Sequence, residues 1–331
     1  MQCDKMTILS FMKSIGVLCK EKRGYYYPAS EQAAVVIQML QAELEHLKVE
    51  VKTEERFLEV KKENDFKFCV VTEKAGYSAK RVILACGGMA APKLGAEATG
   101  YLTLKKLGHT VKETVPALVQ MLAAERYIKK ISGVRLEASI CLNIGKDVYR
   151  EEGEIIFTDT GISGIPVFQL SRFVAGNSKR GEEPILYVNA VPAYDAKQMK
   201  EDVLSLRQYN PDLSLEYLFR SYCNHKLVYA LLCENGMNAE LACKHVKKNE
   251  LENLVDMFHC IPFRITGTNG FEQAQVTKGG VPLYEINPDT MESNVVPGLY
   301  ITGELLDIDG MCGGYNLHFA WATGMLAGNA V

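Results

Sequence analysis

The segment GLYITGELLDIDGMCGGYNLHFAWATG, from Gly298 to Gly324, constrains this chain more than any other. A short apolar strand, Leu299 to Ile301, runs into Gly303 and the acid Glu304. A glycine pair, Gly313 and Gly314, then opens a helix expected over 314–329. Glycine at a strand end lets a ligand approach bare backbone, and an acid there can accept from sugar-like hydroxyls. Paired glycines at a helix start leave N–H groups uncovered at the positive end of the helix dipole, which suits an electron-rich ligand edge. Alone, a Gly–acid step after a strand is more often an ordinary turn, and a glycine-rich loop can simply cap its helix. Strand, acid, glycine pair and helix in succession point to a ligand site at the end of a sheet.

Two further junctions have a related form. Val82 to Ala85 is an apolar run ended by Cys86, Gly87 and Gly88. It predicts a strand buried on both faces of a parallel sheet, with bare backbone at its carboxyl end. Val276 to Val281 carries Gly279 and Gly280 and is readable as a hairpin. Upstream, Ile8, Leu9, Met12 and Ile15 lie at helical spacing before Gly16. Ser30 is a candidate cap for a helix carrying Ala33, Val36, Ile37, Leu40, Leu44 and Leu47 on one face. Val49 to Val51 reads as a short strand, and Arg56–Lys62 and Phe66–Thr72 read as antiparallel strands around a turn at Glu63–Asn64–Asp65. A helix is expected over Thr99 to Leu107. From Pro116 the chain turns to short strands, then to helices, and regains its βα character after Gln275. That order predicts an α/β fold in which a discontinuous nucleotide-binding domain, 1–116 and 276–331, is interrupted by an insertion, 117–275. The insertion is β-rich over 117–192 and 259–275 and helical over 193–258.

Composition narrows the partners. The formal net charge is -3, so no global electrostatic case exists for nucleic acid or an anionic membrane. Ten cysteines without a CxxC pair read as reduced thiols of a cytoplasmic protein, and no zinc-ligand spacing appears, so no metal site is expected. No uncharged apolar run reaches the ~18 residues that span a bilayer. The expected partner is a small-molecule substrate, with no nucleic acid and no membrane. Nothing in the sequence specifies an oligomeric state.

Through GYYYPAS (24–30), VILACGG (82–88), FTDTGISGIP (157–166), VTKGGV (276–281), TMES (290–293) and the 298–324 segment, the chain resembles the HI0933-like and aminoacetone oxidase-like bacterial NAD(P)/FAD-dependent oxidoreductases over nearly its whole length. The resemblance implies an incomplete Rossmann-type FAD-binding domain interrupted by a β-barrel-like and a helical subdomain. It implies that Glu304, after Gly303, accepts from the flavin ribityl chain. Backbone at Gly313, Gly314, Tyr315, Asn316 and Leu317 would meet the pyrimidine end of the ring. Cys86, Gly87 and Gly88 would pass near the ribityl and pyrophosphate groups, and backbone at Phe57 would meet adenine. NAD(P)H is the implied electron donor. Some relatives are described as reducing unsaturated 3-oxo steroids of the bile-acid type, and others as amine-type oxidases. The family's usual Thr-Gly-Gly is Cys86–Gly87–Gly88 here, and Ala90 stands where many members have Ser. No general acid stands out: Tyr315 and His318 are candidates near the ring, although His318 reads more simply as a packing or surface residue. Cys312 reads as an inert thiol rather than a redox one.

A dinucleotide-binding fold opens with a strand, GxGxxG and a helix, and no GxGxxG occurs in this chain. The expectation is a piece of a longer FAD-dependent oxidoreductase. The alternatives are a natural short form with another role and a truncated, catalytically inactive fragment that keeps the flavoprotein fold. About three backbone hydrogen bonds to a pyrophosphate, each worth ~1.5–3 kcal/mol, would be lost with that turn, so the chain as given is expected to hold FAD roughly three to six decades more weakly than an intact protein.

Overall fold

The structure is a computed structural model that describes residues 3–64, 67–175 and 181–331. Asp65 of the expected hairpin turn and Phe66 of its second strand lie outside the described residues. The chain forms two compact units, residues 1–114 with 276–331, and residues 115–275.

In the first unit, α1 (Lys5–Ser14) begins where Asp4 accepts from Thr7 N at 2.9 Å and from Thr7 Oγ1 at 2.8 Å. That bond satisfies a first-turn N–H that has no partner within the helix. β1 (Cys19–Lys22) and β2 (Tyr25–Pro28) pair as an antiparallel hairpin. α2 (Ala34–His46) has Ala33 at its N-cap with no side-chain bond. Ser30 is not the cap: its hydroxyl accepts from Gln32 N at 3.3 Å and closes a turn before the helix starts. The expected strand at Val49–Val51 does not form. Val49 and Val51 are 49% and 59% exposed, and no strand pairs with them among the described residues, so their N–H and C=O groups gain nothing from an extended ladder. β3 (Phe57–Asn64), β4 (Lys67–Thr72) and β5 (Gly76–Ala79) make an antiparallel sheet. β6 (Val82–Leu84), α3 (Thr99–Lys106) and β7 (Lys112–Ala117) follow.

The second unit contains β8 (Met121–Ala123), β9 (Arg135–Ile144), β10 (Asp147–Phe157), β11 (Gly161–Ser163), α4 (Ile165–Ala175) and β12 (Ile185–Asn189). It continues with α5 (Ala196–Tyr209), α6 (Leu215–Arg220), α7 (His225–Glu234), α8 (Lys248–His259) and β13 (Ile261–Thr268). Its strands close into a barrel in the order β10-β11-β8-β13-β12-β9. Closure leaves no unpaired strand edge. On β9, Ala138, Ile140, Leu142 and Ile144 alternate inward and meet Leu186, Val188, Phe263 and Val167 in one core. The helices enter that core too, with Phe219 of α6 stacked on Phe258 of α8 at 5.1 Å.

The chain returns to the first unit through β14 (Val276–Gly280), β15 (Leu299–Ile301) and α9 (Tyr315–Ala330). β14 is no hairpin: it pairs with β7. β15 pairs in parallel with β6, Leu299 opposite Val82 and Ile301 opposite Leu84. β6 is not buried on both faces. Val82 and Leu84 are buried, but Ile83 is 38% exposed, because a two-stranded sheet leaves part of that face uncovered. A buried cluster packs Leu84, Leu104, Leu299, Ile301 and Leu305 together, and α9 packs Trp321, Ala322 and Met325 against the α1 cluster of Ile8 and Met12.

A buried polar chain pins the approach to β15. Ser293 Oγ accepts from Val295 N at 3.0 Å and Val296 N at 2.7 Å. With both acceptor positions filled, its proton goes to His109 Nε2 at 2.8 Å. His109 Nδ1–H then donates to Glu285 Oε2 at 2.7 Å, and Thr110 N donates to the same carboxylate. Burial works against the ionised Glu285, but the bonds from Thr110 and His109 outweigh it and hold its pKa below the usual value. Ser293→Ala strands three polar partners and is expected to cost about 1–3 kcal/mol in urea unfolding. A depressed carboxylate stabilises the fold above its unfolded pKa and loses that contribution on acidification. The Tm gap between wild type and Glu285→Gln should therefore narrow as pH falls toward and below about 4. A gap independent of pH would contradict this account of Glu285.

Candidate functional site

The parallel register of β6 and β15 sets two loops side by side. Thr302 N donates to Leu84 O at 3.1 Å, which extends the ladder one step past the strand end. Ala85 to Gly88 and Thr302 to Glu304 therefore emerge together at the carboxyl edge, where open α/β sheets bind ligands. Gly303 adopts φ 61°, and its N–H donates to Thr323 Oγ1 of α9 at 3.0 Å. The same turn is thus tied to α9.

Gly88 shows how tightly the loops meet. A Cβ on it would overlap Glu304 Oε1 and stand 2.5 Å from Thr277 Oγ1. Only glycine leaves room for the Glu304 carboxylate there. Thr277 N donates to Glu304 Oε1 at 2.8 Å, and Tyr101 Oη donates to the Glu304 carbonyl at 2.8 Å. Burial raises the Glu304 pKa, against the opposing bonds from Thr277. Burial, followed by the nearby Glu304 charge, pushes the Tyr101 phenol far above its ordinary value, so it stays a hydrogen-bond donor. Gly87 adopts φ 73° with open space around it.

At the other end of the segment, Gly313 and Gly314 adopt φ 109° and 94° and start α9 without a side-chain cap. The space a Gly314 side chain would fill is open, and Tyr315 and Leu317 are exposed at 56% and 66%. The first N–H groups of α9 are therefore accessible to a ligand. The Asn316 side chain is engaged within the loop: its Oδ1 accepts from Gly310 N at 2.7 Å and its Nδ2 donates to Gly310 O at 3.1 Å.

Of the residues expected from sequence, the structure gathers Gly87, Gly88, Gly303 and Glu304 at the strand ends, and Gly313, Gly314, Tyr315, Asn316 and Leu317 at the α9 start. Cys86 follows β6, but its thiol turns away: a Cβ on Gly100 would stand 2.5 Å from Cys86 Sγ. Burial raises the pKa of that thiol, so it is no ready nucleophile. Phe57 starts β3 opposite Thr72 and packs, partly buried, against the cluster that includes Phe68. Two residues were not anticipated. Thr277 is one, and its place beside a Gly–Gly turn was the available signal. Tyr25 is the other: a Cβ on Gly313 would stand 2.5 Å from its ring. Among the described residues, no cluster of three or more His, Cys, Asp or Glu could hold a metal ion. No helix among them is long and apolar enough to cross a membrane.

The family described as HI0933-like protein Rossmann domain matches residues 2–330. The chain belongs to this family. It is one of flavoprotein-type oxidoreductases, and the fold contains a Rossmann-type domain. Over 323 residues the chain is 39% identical to the 3-dehydro-bile acid delta(4,6)-reductase of Clostridium scindens, covering 97% of this chain and 79% of that protein. It is 29% identical over 323 residues to the ribosomal RNA dihydrouridine synthase of Haemophilus influenzae, covering 95% and 77%. The enzyme of that name from Escherichia coli is 27% identical over 311 residues, covering 93% and 74%. The family is therefore enzymatic.

In this HI0933-like chain, Gly88→Ala must displace the Glu304 carboxylate and break its bond to Thr277 N. The expected cost is about 1–3 kcal/mol, the penalty of a buried group left unpaired. Gly87→Ala meets no atoms and should cost only the left-handed backbone penalty of roughly 1–2 kcal/mol. Urea unfolding of the two variants checks both figures, and structures of the variants would show Glu304 moved only in the first.

Proposed function

We propose that this chain is an FAD-dependent oxidoreductase that holds the flavin ring at this junction and uses NAD(P)H to reduce a small unsaturated or oxo compound. The observation that carries the reading is the junction at the ends of β6 and β15, where Gly87–Gly88 and Gly303–Glu304 meet beside a helix anchored to the same turn. The residues fit a flavin. Gly87 and Gly314 leave open space, α9 begins without a side-chain cap, and Glu304 offers a carboxylate beside bare backbone. When bound, flavin supplies hydride chemistry between a nicotinamide and an activated double bond.

The chain's own residues have separable roles in this reading. Glu304 accepts from ribityl hydroxyls, since a carboxylate has about four acceptor positions and Thr277 takes only part of them. The N–H groups that open α9 would meet the electron-rich edge of a bound ring and would favour its form carrying more negative charge. Tyr101 holds the Glu304 carbonyl in place through its hydroxyl.

The identity to the 3-dehydro-bile acid reductase supports a steroid-like or other small apolar acceptor. The dihydrouridine synthases supply a second reading, reduction of a base in RNA. Proteins that hold RNA neutralise phosphates with Lys and Arg, and the net charge of -3 favours the small molecule. Ten cysteines, none in a disulfide among the described residues, go with a cytoplasmic site of action.

The test is a titration with FAD to millimolar concentration, followed by NAD(P)H oxidation assays with unsaturated 3-oxo steroids and, separately, with ribosomal RNA. Perturbed flavin absorption and steroid-dependent NAD(P)H consumption are expected. Glu304→Gln should weaken flavin binding about tenfold, the worth of a charge-assisted hydrogen bond. A protein that leaves flavin absorption and fluorescence unchanged throughout sinks the reading, and reduction of RNA alone would replace the substrate class.

A further inference from the structure

We infer that Thr277 is a positioning residue for this site: it fixes the Glu304 carboxylate in its ligand-accepting orientation and ties it to the backbone of residues 88–90. The inference rests on the flavin reading above. Thr277 lies on β14 and is fully buried, at 0% exposure. Its N–H donates to Glu304 Oε1 at 2.8 Å, and its side chain helps hold the Glu304 pKa down against burial. Its Oγ1 accepts from Met89 N at 2.8 Å and from Ala90 N at 3.2 Å.

A hydroxyl has one proton and two acceptor positions. The two N–H groups fill both acceptor positions of the hydroxyl and fix its orientation. The loop after β6 thereby orients the Thr277 side chain, and the Thr277 N–H holds the acid after β15. β14 itself has little freedom to drift. A Cβ on Gly279 would overlap Glu113 O, and one on Gly280 would stand 2.5 Å from Leu305 O. Backbone approaches that close hold Thr277 to its position. Gly88 completes the arrangement by leaving the carboxylate room.

A residue that only supported the fold would change stability and leave the pH dependence of binding alone. A residue that orients Glu304 must change both the affinity and its acid limb. Burial raises the Glu304 pKa, and the Thr277 bonds oppose that rise. Removing the hydroxyl lets the pKa climb further. Binding that needs the ionised acid then fails at a higher pH on acidification.

The experiment measures FAD dissociation constants against pH for wild type, Thr277→Val, Thr277→Ser and Glu304→Gln, each confirmed folded by circular dichroism. Thr277→Val should bind about tenfold more weakly and begin its acid loss at higher pH than wild type. Thr277→Ser should recover both properties. Glu304→Gln should show no acid limb, and adding Thr277→Val to it should leave the pH profile flat. If Thr277→Val does not fold, Thr277→Cys is read in its place, since a thiol fits the site but bonds weakly. Wild type that binds flavin, with a Thr277→Val acid limb unchanged from its own, overturns the inference and leaves the flavin reading intact. Wild type that binds no flavin removes the reading and the inference with it.

Discussion

The parallel pairing of β6 with β15 is the constraint on which the rest of the candidate site depends. It is short, three residue pairs from Leu299–Val82 to Ile301–Leu84. Parallel pairing is also slightly weaker per residue than antiparallel pairing. What fixes the register is burial. Leu84, Leu299, Ile301 and Leu305 share one cluster, and a one-residue slip would carry the alternating strand side chains to the opposite face. With that register set, Gly88 and Glu304 have to meet, and Thr323 of α9 closes on Gly303 from the other side.

Much of this architecture is legible in the sequence because it follows local rules. The period of two in β9 places Ile140, Leu142 and Ile144 in the barrel core. Asp4 and Gly16 bracket α1, and the strand–glycine–helix order of 298–324 appears directly as β15, a turn and α9. The misreadings share a cause, which is that context decides them. Val49–Val51 has the composition of a strand but no strand to pair with among the described residues. Ser30 has the chemistry of a cap, yet the helix begins after Ala33. Val82–Leu84 has the apolar run of a doubly covered strand, while Ile83 faces an uncovered side. At the ends of β6 and β15, local pattern singled out the glycines and the acid that the structure brings together. It offers the Gly–Gly turn beside Thr277 but not the bonds Thr277 makes, because Met89 and Ala90 lie far away in sequence. Nor could it show that Cys86 turns toward Gly100, or that Asn316 spends its side chain on Gly310.

Two buried polar groupings organise the first unit, and both obey the same accounting. Around His109, two backbone N–H groups fill the Ser293 oxygen and force its proton onto the imidazole. Around Thr277, two backbone N–H groups fill the hydroxyl's acceptor positions, while the Thr277 N–H holds Glu304. Each arrangement fixes a rotatable hydroxyl in one direction, and each ends at a carboxylate. The outcomes differ because the surroundings differ. Hydrogen bonds win at Glu285 and depress its pKa, whereas burial wins at Glu304 and raises it. One carboxylate thereby serves as an anchor within the fold, and the other keeps acceptor positions that the fold itself does not use.

β7 and β14 lie against each other closely enough that Gly279 can carry no side chain beside Glu113. Within the second unit, Gln275 N donates to Leu118 O at 3.3 Å. The point where the chain leaves the first unit and the point where it returns are therefore neighbours, and the second unit closes on its own ends. Closing a loop costs little more as the loop grows. Heredity can then lengthen, trim or exchange the barrel and its helices as a cassette, while the unit that carries Glu304 sees the same two chain ends at the same spacing.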